Sequence, residues 1–314
     1  MAASSRTWLI RLGIGVAALA EHAVLGLYCF SLYSMNRVFT HRVVKLVATP
    51  ASYALAGESI DLTSGDGIPL RAWWVPAKGP APAGVVVLLH GMDGMDASTL
   101  LGHARFLHEA GYAALALDMR AHGRSGGTRI GLSLQEPRDV GAALDWVARQ
   151  PALAGTPVAL LGISMGGATA LRTAAARPDV AAVVSVSAFS SVDDALREVF
   201  EKSGMSRAAV TVLLPFMRLA LATMYRVWPA RLGAPDDIGR IPPRPILLAH
   251  GSADDQISVQ SAYRLQAAAG GKAQLWIAEG AGHGIWDGDV NAPANAVYRH
   301  RILAFLGTAL HPGR

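Results

Sequence analysis

Beyond residue 84 the chain alternates short, unbroken apolar runs with longer stretches in which apolar residues recur at helical spacing. The runs at 85–89, 113–117, 158–161, 181–186, 245–249 and 273–277 are bounded by Gly, Pro and polar residues and are too short for buried helices, so they predict strands. Between and after them the periodicity predicts helices over about 98–110, 134–149, 167–176, 259–269 and 294–310. Strands apolar on both faces and separated by helices indicate a parallel sheet covered on both sides, which is an α/β fold. Upstream, 58–63 and 68–75 alternate like strands and are joined by Ser64-Gly65-Asp66-Gly67, a hairpin turn signal. The alternation fails over about 190–243, which contains a helix-like apolar run at 208–224 and no good strand. A helical insertion over the top of the sheet accounts for it.

The amino terminus follows a different pattern. Residues 12–33 are apolar on every helical face, a length of about 20 residues that spans a bilayer. Arg6 and Arg11 precede the run, and Arg37, Arg42 and Lys45 follow it. Glu21, near its middle, costs about 2 to 3 kcal/mol on insertion scales. Ala18-Leu19-Ala20 also resembles a small-x-small signal cleavage site, which makes a secreted or periplasmic mature protein the alternative to a membrane anchor. The apolar run continues past that site and favours the uncleaved anchor. A third reading is a helix buried in a soluble fold. Residues 35–57 show no clear period and read as a connector.

Composition narrows this picture. The 314 residues are 52% apolar, enough for a sizeable core, and the formal charge of +5 is spread along the chain without a long basic run, which argues against nucleic-acid binding. The single cysteine, Cys29, excludes an intrachain disulfide and lies in the apolar amino-terminal run, where it reads as a core or lipid-facing residue. No Cys/His cluster has zinc-like spacing, and no motif calls for a metal, nucleotide or flavin cofactor.

The chemistry concentrates in the turns after the strands. Gly162-Ile163-Ser164-Met165-Gly166 lies between an apolar run and an Ala-rich helix. A serine at the tip of a sharp strand-to-helix bend needs small neighbours two residues away on either side, and it faces the positive end of the following helix. The other strands end in His90-Gly91-Met92-Asp93-Gly94, Asp118-Met119-Arg120-Ala121-His122-Gly123-Arg124-Ser125, His250-Gly251-Ser252-Ala253-Asp254-Asp255 and Gly280-Ala281-Gly282-His283-Gly284. Ligand sites in parallel sheets form along that carboxyl edge.

In these turns the chain resembles the serine α/β-hydrolases, from about residue 58 to the carboxyl terminus, with Ser, acid and His in that chain order. The resemblance implies that Ser164 is the nucleophile, Asp254 the acid and His283 the base. It also implies that the backbone N–H groups of Met92 and Met165 form an oxyanion hole. The domain plan that follows is an anchor or signal-like helix over 1–40, a connector over 41–57 and a hydrolase domain over 58–314 with a lid at about 190–243.

The base can also be reached by elimination among ten histidines. His22 and His41 lie in or beside the anchor, His103, His108, His300 and His311 fall on helices or the tail, and His122 sits in an Arg-rich loop. His90 and His250 end strands and read as loop-packing residues bonded to backbone. His283 is left. For the acid, the resemblance favours Asp254, which fits the family's His-Gly-x-x-Asp pattern; Asp255 reads as capping the next turn, and Asp193 stands where some relatives carry the acid. Asp118, Arg120 and Ser125 read as bracing, with Ala121 where the family pattern has Gly.

The expected activity is hydrolysis of a carboxylic ester, acyl or lipid-like, through an acyl-serine intermediate. The alternatives on the same fold are a peptidase or an acyltransferase. A catalytically inactive membrane-tethered binding protein is the reading from outside enzymology. The expected partners are a small-molecule or lipid ester and a membrane. Arginines interspersed in the lid suggest that it touches lipid headgroups, delivering an acyl substrate laterally. The acyl group, the membrane side and the oligomeric state have no sequence signature.

Overall fold

A computed structural model describes residues 2–40, 48–92, 95–227 and 238–311. Residues 41–47 of the expected connector, with His41, Arg42 and Lys45, lie outside them, as do Asp93 and Gly94 of the first turn and Trp228 and Pro229 of the insertion.

The expected runs form an eight-stranded sheet of β1 (Glu58–Thr63), β2 (Pro69–Val75), β3 (Val85–Leu89), β4 (Ala113–Asp118), β5 (Val158–Ile163), β6 (Val180–Val186), β7 (Ile246–Gly251) and β8 (Gln274–Ala278), in the order β1-β2-β4-β3-β5-β6-β7-β8. The pairs from β4 to β8 are parallel, while β1 with β2 and β2 with β4 are antiparallel. Every residue of β3 and β4 is buried, which is why those stretches are apolar without alternation.

Helices cover both faces. One core layer holds residues of α3 (Pro137–Ala148) and α4 (Met165–Ala176), among them Val140, Leu144 and Leu171. The other holds residues of α2 (Leu101–Glu109) and α8 (Ala296–Leu310), among them Leu107, Ile302 and Leu306. A further helix, α7 (Gln260–Ala268), joins β7 to β8. This is the α/β-hydrolase arrangement, with the order reversing at β3 to open a crevice between β3 and β5.

The insertion between β6 and β7 folds as α5 (Val192–Lys202) and α6 (Arg207–Tyr225). Serine caps begin both: Ser191 Oγ accepts from the Asp194 amide at 3.1 Å, and Ser206 Oγ from the Ala209 amide at 3.3 Å.

The amino-terminal helix α1 runs from Ala2 to Phe39, through residues 35–39 where the clear period is lost and close to the end of the expected 1–40 segment. Nothing in Met35-Asn36-Arg37-Val38-Phe39 breaks a helix, and tertiary packing selects it: Met35 and Phe39 are fully buried in the sheet's core. Leu27, Tyr28 and Leu32 pack on the same core, whereas Leu9, Ile14, Leu19 and Leu25 are exposed. One half of α1 is thus part of the globular body, and the other projects from it.

Candidate active site

Ser164 occupies the expected strand-to-helix bend. Its backbone stands at φ 56°, ψ −119°, a conformation that costs a non-glycine residue about 1 to 3 kcal/mol, and its amide donates to Val186 O at 2.8 Å. The small neighbours are obligatory. A Cβ on Gly162 would lie 2.1 Å from Gly166 O, and one on Gly166 would lie 2.1 Å from Leu89 O. The bend can therefore press against the end of β3 only with glycine at both positions. Met165, 1% exposed, opens α4, so its amide is among the N–H groups that a helix leaves without internal partners. Met92 is partly buried beside Gly91, and a Cβ on Gly91 would meet the Ser164 side chain at 3.3 Å, which brings the first turn against the serine.

The acid and base loops meet. His283 Nδ1 lies 2.8 Å from Asp254 Oδ2. Asp254 has a fully enclosed side chain that accepts from three further N–H groups: the Gln256 and Ile257 amides reach Oδ1 at 2.7 and 2.9 Å, and His250 Nε2 reaches Oδ2 at 3.1 Å. Burial alone would raise this carboxyl, but the hydrogen bonds from His250, His283 and the Ile257 amide outweigh it and hold the group well below the usual carboxylate range. An ionised Asp254 can only accept, so His283 carries its proton on Nδ1 and leaves Nε2 as the basic nitrogen. His250 Nε2 lies between two acceptors, Asp254 Oδ2 and Ile257 O at 2.9 Å, and is fixed as a donor by the same reasoning.

These contacts revise two expectations. His250 does bond backbone as expected, but it also reaches Asp254, a role that its place at a strand end did not reveal. The turn after Asp254 is capped by Asp254 itself through the Gln256 and Ile257 amides, and not by Asp255, because Oδ1 is left free for them when Oδ2 faces the imidazoles. Asp193, the other candidate acid, pairs with Arg218 of α6 at 3.4 Å.

The bracing reading of the loop after β4 matches the contacts. Asp118 accepts from the Ala97 amide at 2.7 Å and pairs with Arg124 at 3.1 Å, while Ser125 Oγ donates to Asp118 O and accepts from the Arg71 amide at 2.8 Å. Arg120 joins Asp139 at 2.6 Å to Asp66 at 2.8 Å, and that hydrogen bond holds the Asp66 carboxyl far below its ordinary value. Ala121, where glycine is usual, takes φ 60°, a left-handed conformation that the braced loop imposes on it.

One residue of the insertion had no sequence signal. Glu198 of α5 accepts from the Ser258 amide of the acid loop at 2.9 Å, and its Oε2 is buried without a hydrogen-bond partner among the described residues. Burial, aided by the charges of Asp194 and Asp254 and opposed by the Ser258 hydrogen bond, pushes its carboxyl up to about 7.

Comparison with known proteins agrees with this architecture. The family described as serine aminopeptidase, S33, matches residues 80–241, a span that includes Ser164 and ends before Asp254 and His283. The uncharacterized protein YfhR of Escherichia coli strain K12 is 26% identical over 267 residues, covering 82% of this chain and 83% of its own. Among solved structures, the Pyrococcus furiosus esterase Pf2001 superposes with a TM-score of 0.69 at 20% identity, covering 87% of this chain and 99% of its own. The esterase domain of a Rhodothermus marinus protein gives 0.57 at 19% identity, with 82% and 100% covered. At such identities the solved structures speak for the fold, and the family match adds the chemistry class: the chain belongs to the S33 serine aminopeptidase-type family of the α/β-hydrolase superfamily and is a hydrolase.

Proposed function

We propose that the protein is a serine hydrolase that cleaves a carboxylic ester through an acyl-serine intermediate. The observation that carries this reading is the Asp254–His283 pair, in which an enclosed, ionised carboxylate fixes the imidazole with Nε2 basic, on the sheet edge where strain presents Ser164. His283 Nε2 takes the proton of Ser164 as the hydroxyl attacks the carbonyl, and Asp254 stabilises the imidazolium. The oxyanion develops against the Met92 and Met165 amides. His283 then protonates the leaving alcohol, and the same nitrogen activates water to release the acyl group. The free half of α1 supports a membrane-anchored location, with export and signal cleavage as the alternative.

A fluorophosphonate probe tests the nucleophile. It should label the intact protein and leave Ser164→Ala unlabelled; absence of labelling in the folded wild type removes the acyl-serine mechanism. The family description favours a peptidase as the second reading. Hydrolysis of p-nitrophenyl esters in preference to aminoacyl p-nitroanilides supports the ester reading, and the opposite preference replaces it with an aminopeptidase.

A further inference from the structure

The outer face of α6 is unlike that of an ordinary surface helix. Ala208, Val212, Pro215, Leu219 and Thr223 follow one another at helical spacing on its solvent side, without a charge among them. Val212 is 59% exposed and Leu219 46%, whereas the outer face of a soluble helix is normally charged. Arginines mark both ends, Arg207 where the helix starts and Arg226 just after it, while Arg218 turns aside to Asp193. The helix is apolar and long enough to cross a membrane, yet Val210, Leu213, Met217 and Leu221 are buried in the protein core, so it cannot leave the body to do so.

The position of α1 gives this face its depth. The predicted span, residues 12–33, is about 33 Å long at 1.5 Å per residue, slightly more than a hydrocarbon core. Its last part is not free: Tyr28, inside the span, shares a 3.0 Å hydrogen bond with Thr223 of α6, and Leu27 and Leu32 pack on the core. The end of α1 is clamped further on, where Ile130 gives its amide to Phe39 O at 2.8 Å and takes the Tyr225 hydroxyl on its carbonyl at 2.6 Å. If residues 12–33 lie in hydrocarbon, the carboxyl end of α6 is held at the depth of Tyr28, about 7 Å in from the end of that span at 1.5 Å per residue.

We infer that α6 is seated in the bilayer interface, with its uncharged outer stripe against acyl chains and its terminal arginines among anionic headgroups. The occupant of this face is a lipid surface, and α6 is then set against the membrane while its neighbour α5 reaches the Asp254 loop through Glu198 and the Ser258 amide. This rests on the membrane reading of α1 and goes beyond it, because an anchor alone would leave the lid in water.

Depth-dependent quenching decides it. Single cysteines at Leu19, Val212, Leu219 and Val297, each in a Cys29→Ser background, carry a bimane label in the full chain reconstituted into phosphatidylcholine–phosphatidylglycerol vesicles. Some of the lipids are brominated in the acyl chain. Val297 lies on the exposed face of α8 and is 64% exposed. Circular dichroism and the unfolding midpoint check that each variant is folded. Labels at 212 and 219 should be quenched at least about twofold more than the label at 297, and most strongly by bromine placed near the headgroup. Quenching at 19 with 212 and 219 matching 297 overturns the seating of α6 and leaves the anchor standing. No quenching at 19 removes both readings, and equal quenching at 297 shows adhesion without the proposed orientation.

Discussion

Oδ2 of Asp254 receives N–H groups from two imidazoles, and its other oxygen receives two amides, so the carboxylate is fully solvated by the protein before any substrate arrives. That arrangement answers the cost of enclosing a charge, which would otherwise be met by protonation. The bend at Ser164 and the meeting of Asp254 with His283 were legible because their turns carry local signatures. The His250 contact was not, since a histidine at a strand end bonds backbone in many folds and only the tertiary path of the Asp254 loop brings the carboxylate to it. Glu198 was less visible still, being one acid on a charged helix. Its carboxyl ordinarily titrates near 4.3 when unfolded and is raised to about 7 in the fold. Between those values the native state holds a proton that the unfolded state has released, so this group's contribution to stability falls as pH rises through about 7. Glu198→Gln keeps an acceptor for the Ser258 amide and removes the titration. Thermal unfolding of both proteins should therefore show the variant gaining on the wild type from about pH 5 to about pH 8. A pH-independent difference would mean that Glu198 is already solvated and ordinary.

Elements buried on both faces were read closely from the sequence. The run 85–89 became β3 without change, because a central parallel strand needs apolar residues at every position and the turns around it supply clear stops. The helices were placed well and their ends less so: the one expected over 134–149 starts at Pro137, since the preceding residues are taken by a loop in which Glu136 accepts from the Gly131 amide. The last turn of α1 carries no apolar period because Asn36 and Arg37 interrupt the run, while Met35 and Phe39 are buried through contacts distant in sequence, with α6 packed on α1 and Ile130 bonded to Phe39. Glycines within elements separate the same way, by what surrounds them. Gly166→Ala would drive a Cβ into the backbone of β3 and should abolish both the bend and activity, because neither chain segment can yield there. Gly141, inside α3, leaves room for a Cβ, whose nearest neighbour would be Arg177 Nη1 at 3.7 Å. Gly141→Ala should therefore stabilise the protein by about 0.5 to 1 kcal/mol through helix propensity and the unfolded-state entropy it removes. Chemical denaturation of the two variants checks the pair, and a destabilised Gly141→Ala would show that α3 packs more tightly than its surroundings indicate.

At the scale of the molecule, α1 joins two environments in one helix, and the junction lies near Leu27. Amino-terminal to it the apolar side chains are exposed, and carboxyl-terminal to it Met35 and Phe39 are as buried as any residue of the sheet. Burying such side chains contributes about 1.5 to 3 kcal/mol each, so the carboxyl-terminal half of α1 stabilises the body whatever becomes of the amino-terminal half. Cleavage after Ala20, were it to happen, would spare this half entirely, which makes the packed segment compatible with either location of the protein. Truncation separates the two halves. A chain that begins at residue 25 should become easier to keep in solution and unfold within about 2 °C of the full chain, because residues 7–24, which it loses, are exposed. A chain that begins at residue 41 loses the Met35 and Phe39 contacts, the Tyr28–Thr223 bond and the Phe39–Ile130 clamp. Its midpoint should fall by about 5 °C or more, with the uncovered flank of α6 promoting aggregation. Differential scanning calorimetry in one detergent for all three chains makes the comparison. Equal midpoints for the chains beginning at 25 and 41 would show that α1 is a passive tether, and would remove the physical link by which a membrane could act on α6.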